Sequence, residues 1–218
     1  MSDALVGAVR DAVAEGEIDV PVPESVVIFG RGRGVFESPV ALRLGVDPEV
    51  IARRVGGVVS GPGFVRVVIG VQELVEGILR DPRYGVARVP SMTWDEWPRT
   101  FENPGFAVRY AYARACWAGR WARGDGRLQA GDLEAELVWA MGDVPGRAKQ
   151  AERERDARPL MLCLERVAWA YHDVHETCPA VPKGDEEPVP GRVDLARAVK
   201  VVLGNGLNMI GEIPRERI

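Results

Sequence analysis

Lysine is nearly missing from this chain. Of 28 basic residues in 218, only Lys149, Lys183 and Lys200 are lysines, so the first 148 residues carry none. The bias reads first as GC-rich codon usage and second as a preference for flat, bidentate phosphate contacts, which a guanidinium makes and an ammonium does not. Histidine is scarcer still, with His172 and His175 close together on one segment. Two neighbouring histidines supply no Ser–His–acid or Cys–His arrangement. Joined by Cys178 they suggest a metal set, but on a helix offsets of three and six spread the three over about 120°, too wide for one ion. The expectation is therefore no metal, no cofactor and no catalytic residue. Cys116, Cys163 and Cys178 are odd in number and scattered, which suits free thiols in a reducing cytoplasm. No apolar run approaches the ~20 residues of a bilayer span. The opening MSDALVGAVRDAVAEGE places Asp3, Asp11 and Glu15 where a signal peptide would be basic, then apolar, so neither a membrane span nor a signal peptide is expected.

What is present is arginine, unevenly placed. The net charge is −4, so bulk attraction to nucleic acid is excluded and the distribution decides. Between Trp97 and Arg127, Arg99, Arg109, Arg114, Arg120, Arg123 and Arg127 stand against Glu102 and Asp125. That local +4 is compatible with an RNA-facing patch. FGRGRG (29–34) has the glycine density of a phosphate-cradling loop, yet matches neither GxGxxG nor the P-loop pattern, and reads as a turn. The mixed run RAKQAERERDAR (147–158) reads as a solvated helix face to which Arg153 and Arg155 add positive charge.

Signals of two periods divide the chain. Residues 1–80 alternate helical and extended patterns. A first helix carries Leu5, Val9, Ala12 and Val13 on one stripe, SVVIF (25–29) is a short strand, and FVRVVI (64–69) is a second after a GPG turn. Ser38-Pro39 and Asp47-Pro48 each read as an N-cap before a first-turn proline, and VQELVEGIL (71–79) as a helix. This is an α+β N-terminal domain. Residues 81–100 hold three prolines without a period and read as a linker. From 101 to 218 strand signals vanish, and helices are expected at 103–123, 131–141, 146–156, 159–176 and 192–209, an all-α helical bundle. On a wheel of the first of these, Phe106, Tyr110, Ala113, Trp117 and Trp121 form one stripe, expected to be core. Arg120 and Arg123 fall within about 40° of Arg109, with Tyr112 beside Arg123 as the one aromatic placed to stack on a base.

The stretch NPGFAVRYAYAR (103–114) resembles the NPVYYVQYAHAR segment that opens the DALR-type anticodon-binding domain of arginyl-tRNA synthetases. VAWAYHDVHETCPAV (167–181) is similar to a later helix of that domain, and VLGNGLNMIGEIPRERI (202–218) to the family's VLANGLDLLGVSAPERM. In the first domain, GVFESPVAL (34–42) looks like the family's GDYATNVAL, and GPGFVRVVI (61–69) like GPGFINFRL, both from its N-terminal additional domain. The family's catalytic domain, with its HIGH-like and KMSKS-like motifs, has no counterpart in these residues.

The resemblance implies a non-catalytic tRNA-binding protein. Phe64 and Arg66 would meet the D-loop corner, and Arg109, Tyr112, Arg120, Arg123, Arg217 and Ile218 the anticodon side. It implies tRNA as partner, arginine tRNA by ancestry, for presentation to a tRNA-using enzyme or for sequestration. Arg66, Arg109, Tyr112 and Ile218 stand where the family has asparagine, glutamine, histidine and methionine, trading base-reading groups for charge. Two alternatives remain at this stage. One is a protein-interaction module docking on a synthetase or a tRNA-using enzyme, with Trp94 and Trp97 as apolar anchors. The other is a non-catalytic subunit whose catalytic half is a separate chain.

Overall fold

The computed structural model describes residues 2–122, 126–182, 184 and 187–218. The chain forms two compact units, Met1–Gly70 and Val71–Ile218.

In the first unit, β1 (Phe29–Gly30), β2 (Val35–Ser38), β3 (Val58–Val59) and β4 (Val65–Val68) form an antiparallel sheet of order β1-β2-β4-β3. Strand alternation sets its two faces: Val65 and Val67 of β4 are buried, while Arg66 and Val68 are exposed. The buried face meets α1 (Ser2–Ala14), α2 (Val40–Leu44) and α3 (Pro48–Arg54) around Leu5, Val9, Val40, Ile51 and Ala52. Asp47 caps α3 by accepting from the Glu49 N–H, with Pro48 in the first turn. Ser38 does not cap α2; its hydroxyl donates to the Val27 carbonyl at 2.7 Å, and the SVVIF strand shrinks to its last residue. The GPG turn needs its last glycine: Gly63 has φ 72°, and a Cβ there would lie 2.6 Å from the Leu42 Cβ.

The second unit is all-helical: α4 (Val71–Arg80), α5 (Pro104–Trp121), α6 (Asp132–Glu154), α7 (Arg158–Thr177) and α8 (Arg192–Met209). The first expected domain ran to residue 80, but α4 packs on α8 and α6, so the compact unit ends ten residues earlier, at Gly70. The two helices expected at 131–141 and 146–156 are one, with Pro145 inside α6. A proline has no N–H for the carbonyl four residues back, here that of Met141. The Tyr84 hydroxyl donates to that carbonyl instead, at a long 3.4 Å.

Tyr84 belongs to the segment expected as a linker. Residues 81–100 have no regular structure, yet they are stitched to the helices as a strap. Asn205 Nδ2 donates to the carbonyls of Pro82 and Tyr84, Met92 N–H to Ile210, and Trp94 Nε1 to the Glu165 carboxylate at 2.9 Å. Asn103, 6% exposed, closes the strap: its Oδ1 accepts from Gly105 and Phe106 N–H as the N-cap of α5, and its Nδ2 donates to the carbonyls of Asp95 and Pro98. Gly105 lets the strap approach, since a Cβ there would sit 2.3 Å from that of Trp94. A loop without a period can still satisfy its backbone polar groups on a neighbour, as this strap does.

Candidate nucleic-acid interface

Within the helical unit, the strap, the start of α5 and the segment after α8 enclose a cleft of about 580 Å³. Arg99, Arg109, Arg215 and Arg217 stand on it with Glu96 and Glu212, and Phe106, Ile213 and Ile218 give it apolar wall. Sequence reasoning placed Arg109, Arg217 and Ile218 at one side, and the cleft brings these three together. It also adds Arg99, Phe106 and Arg215, which that reasoning missed.

The four arginines are not equivalent. Arg109 donates from Nε and Nη2 to both oxygens of Glu212, at 2.8 and 2.7 Å, and from its Nη groups to the carbonyls of Trp94 and Asp95. Glu212 is 8% exposed at its side chain and also accepts from the Trp94 N–H, and it pushes the Arg109 guanidinium further into its charged form. Arg109 is therefore a strut joining α5, strap and tail rather than a group open to phosphate. Arg99 pairs with Glu96 at 2.6 Å and lies over the Trp97 ring. Arg215 and Arg217 are exposed, and Arg217 makes no ion pair or hydrogen bond among the described residues. The guanidinium groups of this cleft without an ion pair among the described residues are those of the tail.

The other residues of the α5 arginine side follow the same logic. Arg120 pairs with Glu216, which also accepts from Lys200 at 3.4 Å. Arg123 lies outside the described residues. Tyr112 is corrected outright: it is 8% exposed and lies against α8, its ring 3.1 Å from where a Cβ on Gly204 would be. Burial pushes its hydroxyl up to about 12. It is core, because the face of α5 that meets α7 and α8 is the alanine-rich one of Ala107, Ala111, Ala115 and Ala118.

The stripe expected to be core divides, with Ala113 buried and the large rings not. Trp117 is 47% and Trp121 61% exposed. Phe106 and Tyr110 are half-buried and join Phe101, Trp169 and His172 in a ring cluster with centroids 5.0–5.9 Å apart. Arg114 covers the Tyr110 ring at 4.5 Å and pairs with Glu176. His172 is buried, which lowers its pKa, and its neutral ring donates Nε2–H to the Ala107 carbonyl at 3.0 Å. Phe101 and Trp169 keep 43% and 44% of their surface, enough for a base to stack on. No group of three His, Cys, Asp or Glu among the described residues could hold a metal ion, and none of the described helices is long and apolar enough to cross a membrane.

In the first unit, Arg66 stands on the exposed sheet face and pairs with Glu37, its partner across the strands. Phe64 is half-buried at the start of β4. Glu37 also takes the Arg31 guanidinium, and Phe29 is exposed beside it. The stretch read only as a glycine turn thus carries two side chains of this face.

These arrangements can be set beside known proteins. The DALR anticodon binding domain family matches residues 108–218. The arginine–tRNA ligase of Clavibacter sepedonicus is 34% identical over 131 residues, covering 55% of this chain and 24% of that protein. The solved arginyl-tRNA synthetase of Thermus thermophilus is 24% identical, with a TM-score of 0.44, over 55% of this chain and 22% of its own. The chain thus spans about a quarter of the length of these relatives. The family match covers half of the chain, including α5 from Val108 onward, the rings of Tyr110, Trp169 and His172, the α5 and tail sides of the cleft, and the tail itself: the chain belongs to the DALR anticodon-binding domain family.

Proposed function

We propose that this chain is a tRNA-binding protein that performs no aminoacylation itself. The helical unit takes the anticodon arm, and the N-terminal unit takes the outer corner near the D-loop. Arginine tRNA is the expected partner, bound in the cytoplasm and presented to a tRNA-using enzyme or kept from one. The observation that carries this reading is the placement of Arg215, Arg217, Phe106 and Ile218 on one cleft, three of the four in the tail. Phosphate contacts would position the RNA there, and ring faces would hold its unpaired bases.

The test is to purify the protein from its native cells at moderate salt and sequence the RNA that comes with it. An Arg66/Arg215/Arg217 triple-alanine variant is the control. Enrichment of one isoacceptor group, lost in the control, supports the proposal and names the tRNA. A second reading, docking on a protein partner, draws on the exposure of Trp117, Trp121 and Leu162 on α5 and α7. Trp94 no longer serves it, being tied to Glu165, while Trp97 remains 67% exposed. A companion protein retained after ribonuclease, with no enriched RNA, would replace the first reading by the second.

A further inference from the structure

The exposed face of the N-terminal sheet carries a carboxylate where a phosphate-binding surface would gain from having none. Phe29, Glu37, Arg66 and Val58 form one row across the four strands. Glu37 is only 9% exposed at its side chain, although its two partners, Arg31 and Arg66, are 55% and 46% exposed. Its Oε2 accepts from Arg31 Nε at 2.7 Å. Its Oε1 accepts from Arg66 Nε at 2.8 Å and from the Ser60 hydroxyl at 2.9 Å. Backbone geometry holds Arg31 from the other side: its N–H donates to the Val35 carbonyl, at the neck of a turn where Gly32, Arg33 and Gly34 all have positive φ.

We propose that Glu37 is a positioning residue, which fixes Arg31 and Arg66 as a two-guanidinium clamp for one RNA phosphodiester on this face. The inference rests on the reading of the chain as tRNA-binding. Arg31 is gripped through Nε, and Arg66 through Nε and Nη2, the latter at 2.7 Å, which leaves both Nη groups of Arg31 and Nη1 of Arg66 for a ligand. An arginine that is tied down before binding has already given up the side-chain freedom it would otherwise lose on binding. The surroundings select a phosphodiester over a protein carboxylate. Phe29, Val58 and Val68 are 41%, 58% and 65% exposed, an uncharged border suited to a base and ribose flanking the phosphate. Arg31 already lies 5.7 Å from the Phe29 ring centre, so ring and cation form one platform.

Charge and position predict opposite signs, and the test uses this. Bulk tRNA is titrated against the full chain and its Glu37→Gln variant by filter binding, with folding of each checked by thermal melt. Removing a negative charge should tighten binding severalfold if Glu37 acts only through its field. If it positions the clamp, Glu37→Gln weakens binding about tenfold despite the gain in charge. The Arg31→Ala/Arg66→Ala variant gives a second measure that does not depend on Glu37→Gln folding. Loss of both contacts should lower the log–log salt slope by roughly 1.4–1.8. Poly-uridylate should compete and poly-glutamate should not. Equal or tighter binding by a folded Glu37→Gln, an unchanged slope, or displacement by poly-glutamate would overturn the clamp while leaving tRNA binding intact. A wild-type chain that binds no tRNA would remove both the clamp and the reading beneath it.

Discussion

At the scale of single residues, the arginines are sorted by which carboxylate reaches them. Glu37 and Glu212 are nearly buried, and each engages an arginine that the sequence offers as an RNA contact. Arg66 retains an exposed guanidinium, whereas Arg109 meets acceptors at Nε and at both Nη groups and becomes framework. Glu37 makes its contribution measurable through pH. Arg66 first, then Arg31 and Ser60, hold its carboxyl at about 2, against 4.5 without them. A depressed folded-state pKa adds stability that is complete above the unfolded value and disappears as pH falls through the folded one. The melting temperature of the wild type should therefore exceed that of Glu37→Gln at pH 6, and the gap should close between about pH 4.5 and pH 2. A gap that stayed constant over that window would mean that the ion pairs contribute nothing.

At the scale of elements, what was legible from sequence followed from local chemistry, and what was not followed from partners far along the chain. The α3 cap needs only Asp47 and Pro48, and α5, α7 and α8 stand where the period placed them. The Arg109–Glu212 pair spans 103 residues and leaves no local mark. The α5 wheel put Trp117 and Trp121 in the core because large rings count for more on it than alanine does. Here close helix packing wants the small face inward, and it leaves Trp117 and Trp121 outside. The expected break between 141 and 146 contains Pro145, whose missing N–H and ring usually break a helix, yet α6 runs through it. The strap supplies the missing donor from Tyr84, and this gives a coupled prediction. Pro145→Ala restores the backbone donor to Met141 and should stabilise the protein by about 1 kcal/mol, a fraction of the ~3 kcal/mol an interior proline can cost. Tyr84→Phe should cost about 0.5 kcal/mol in the wild type, the low end for a hydrogen bond this long, and close to nothing beside Pro145→Ala. Urea unfolding of the four proteins measures it. Additive effects would show that the hydroxyl and the proline are unrelated.

At the scale of the whole molecule, a net charge of −4 constrains how RNA can be held. Attraction cannot come from overall charge, so it has to come from a few exposed guanidinium groups set against an acidic background. Many of the other arginines face partners of their own: Arg109 and Arg120 meet tail glutamates, Arg114 meets Glu176, and Arg192 meets the buried Glu134. Two exposed arginines on the first unit, Arg31 and Arg66, and two on the second, Arg215 and Arg217, then make up the expected set of phosphate contacts. Four contacts at roughly 0.7–0.9 each give a log–log salt slope of about −3 for tRNA, far shallower than an arginine-rich sequence invites. Removing the pair on one unit should halve the slope, and removing both should bring it near zero. A wild-type slope steeper than about −6 would mean that the paired arginines open on binding and that the carboxylates holding them are released as the RNA arrives. A slope near zero with affinity intact would place recognition in ring stacking and base contacts, at the cluster of Phe101, Tyr110 and Trp169.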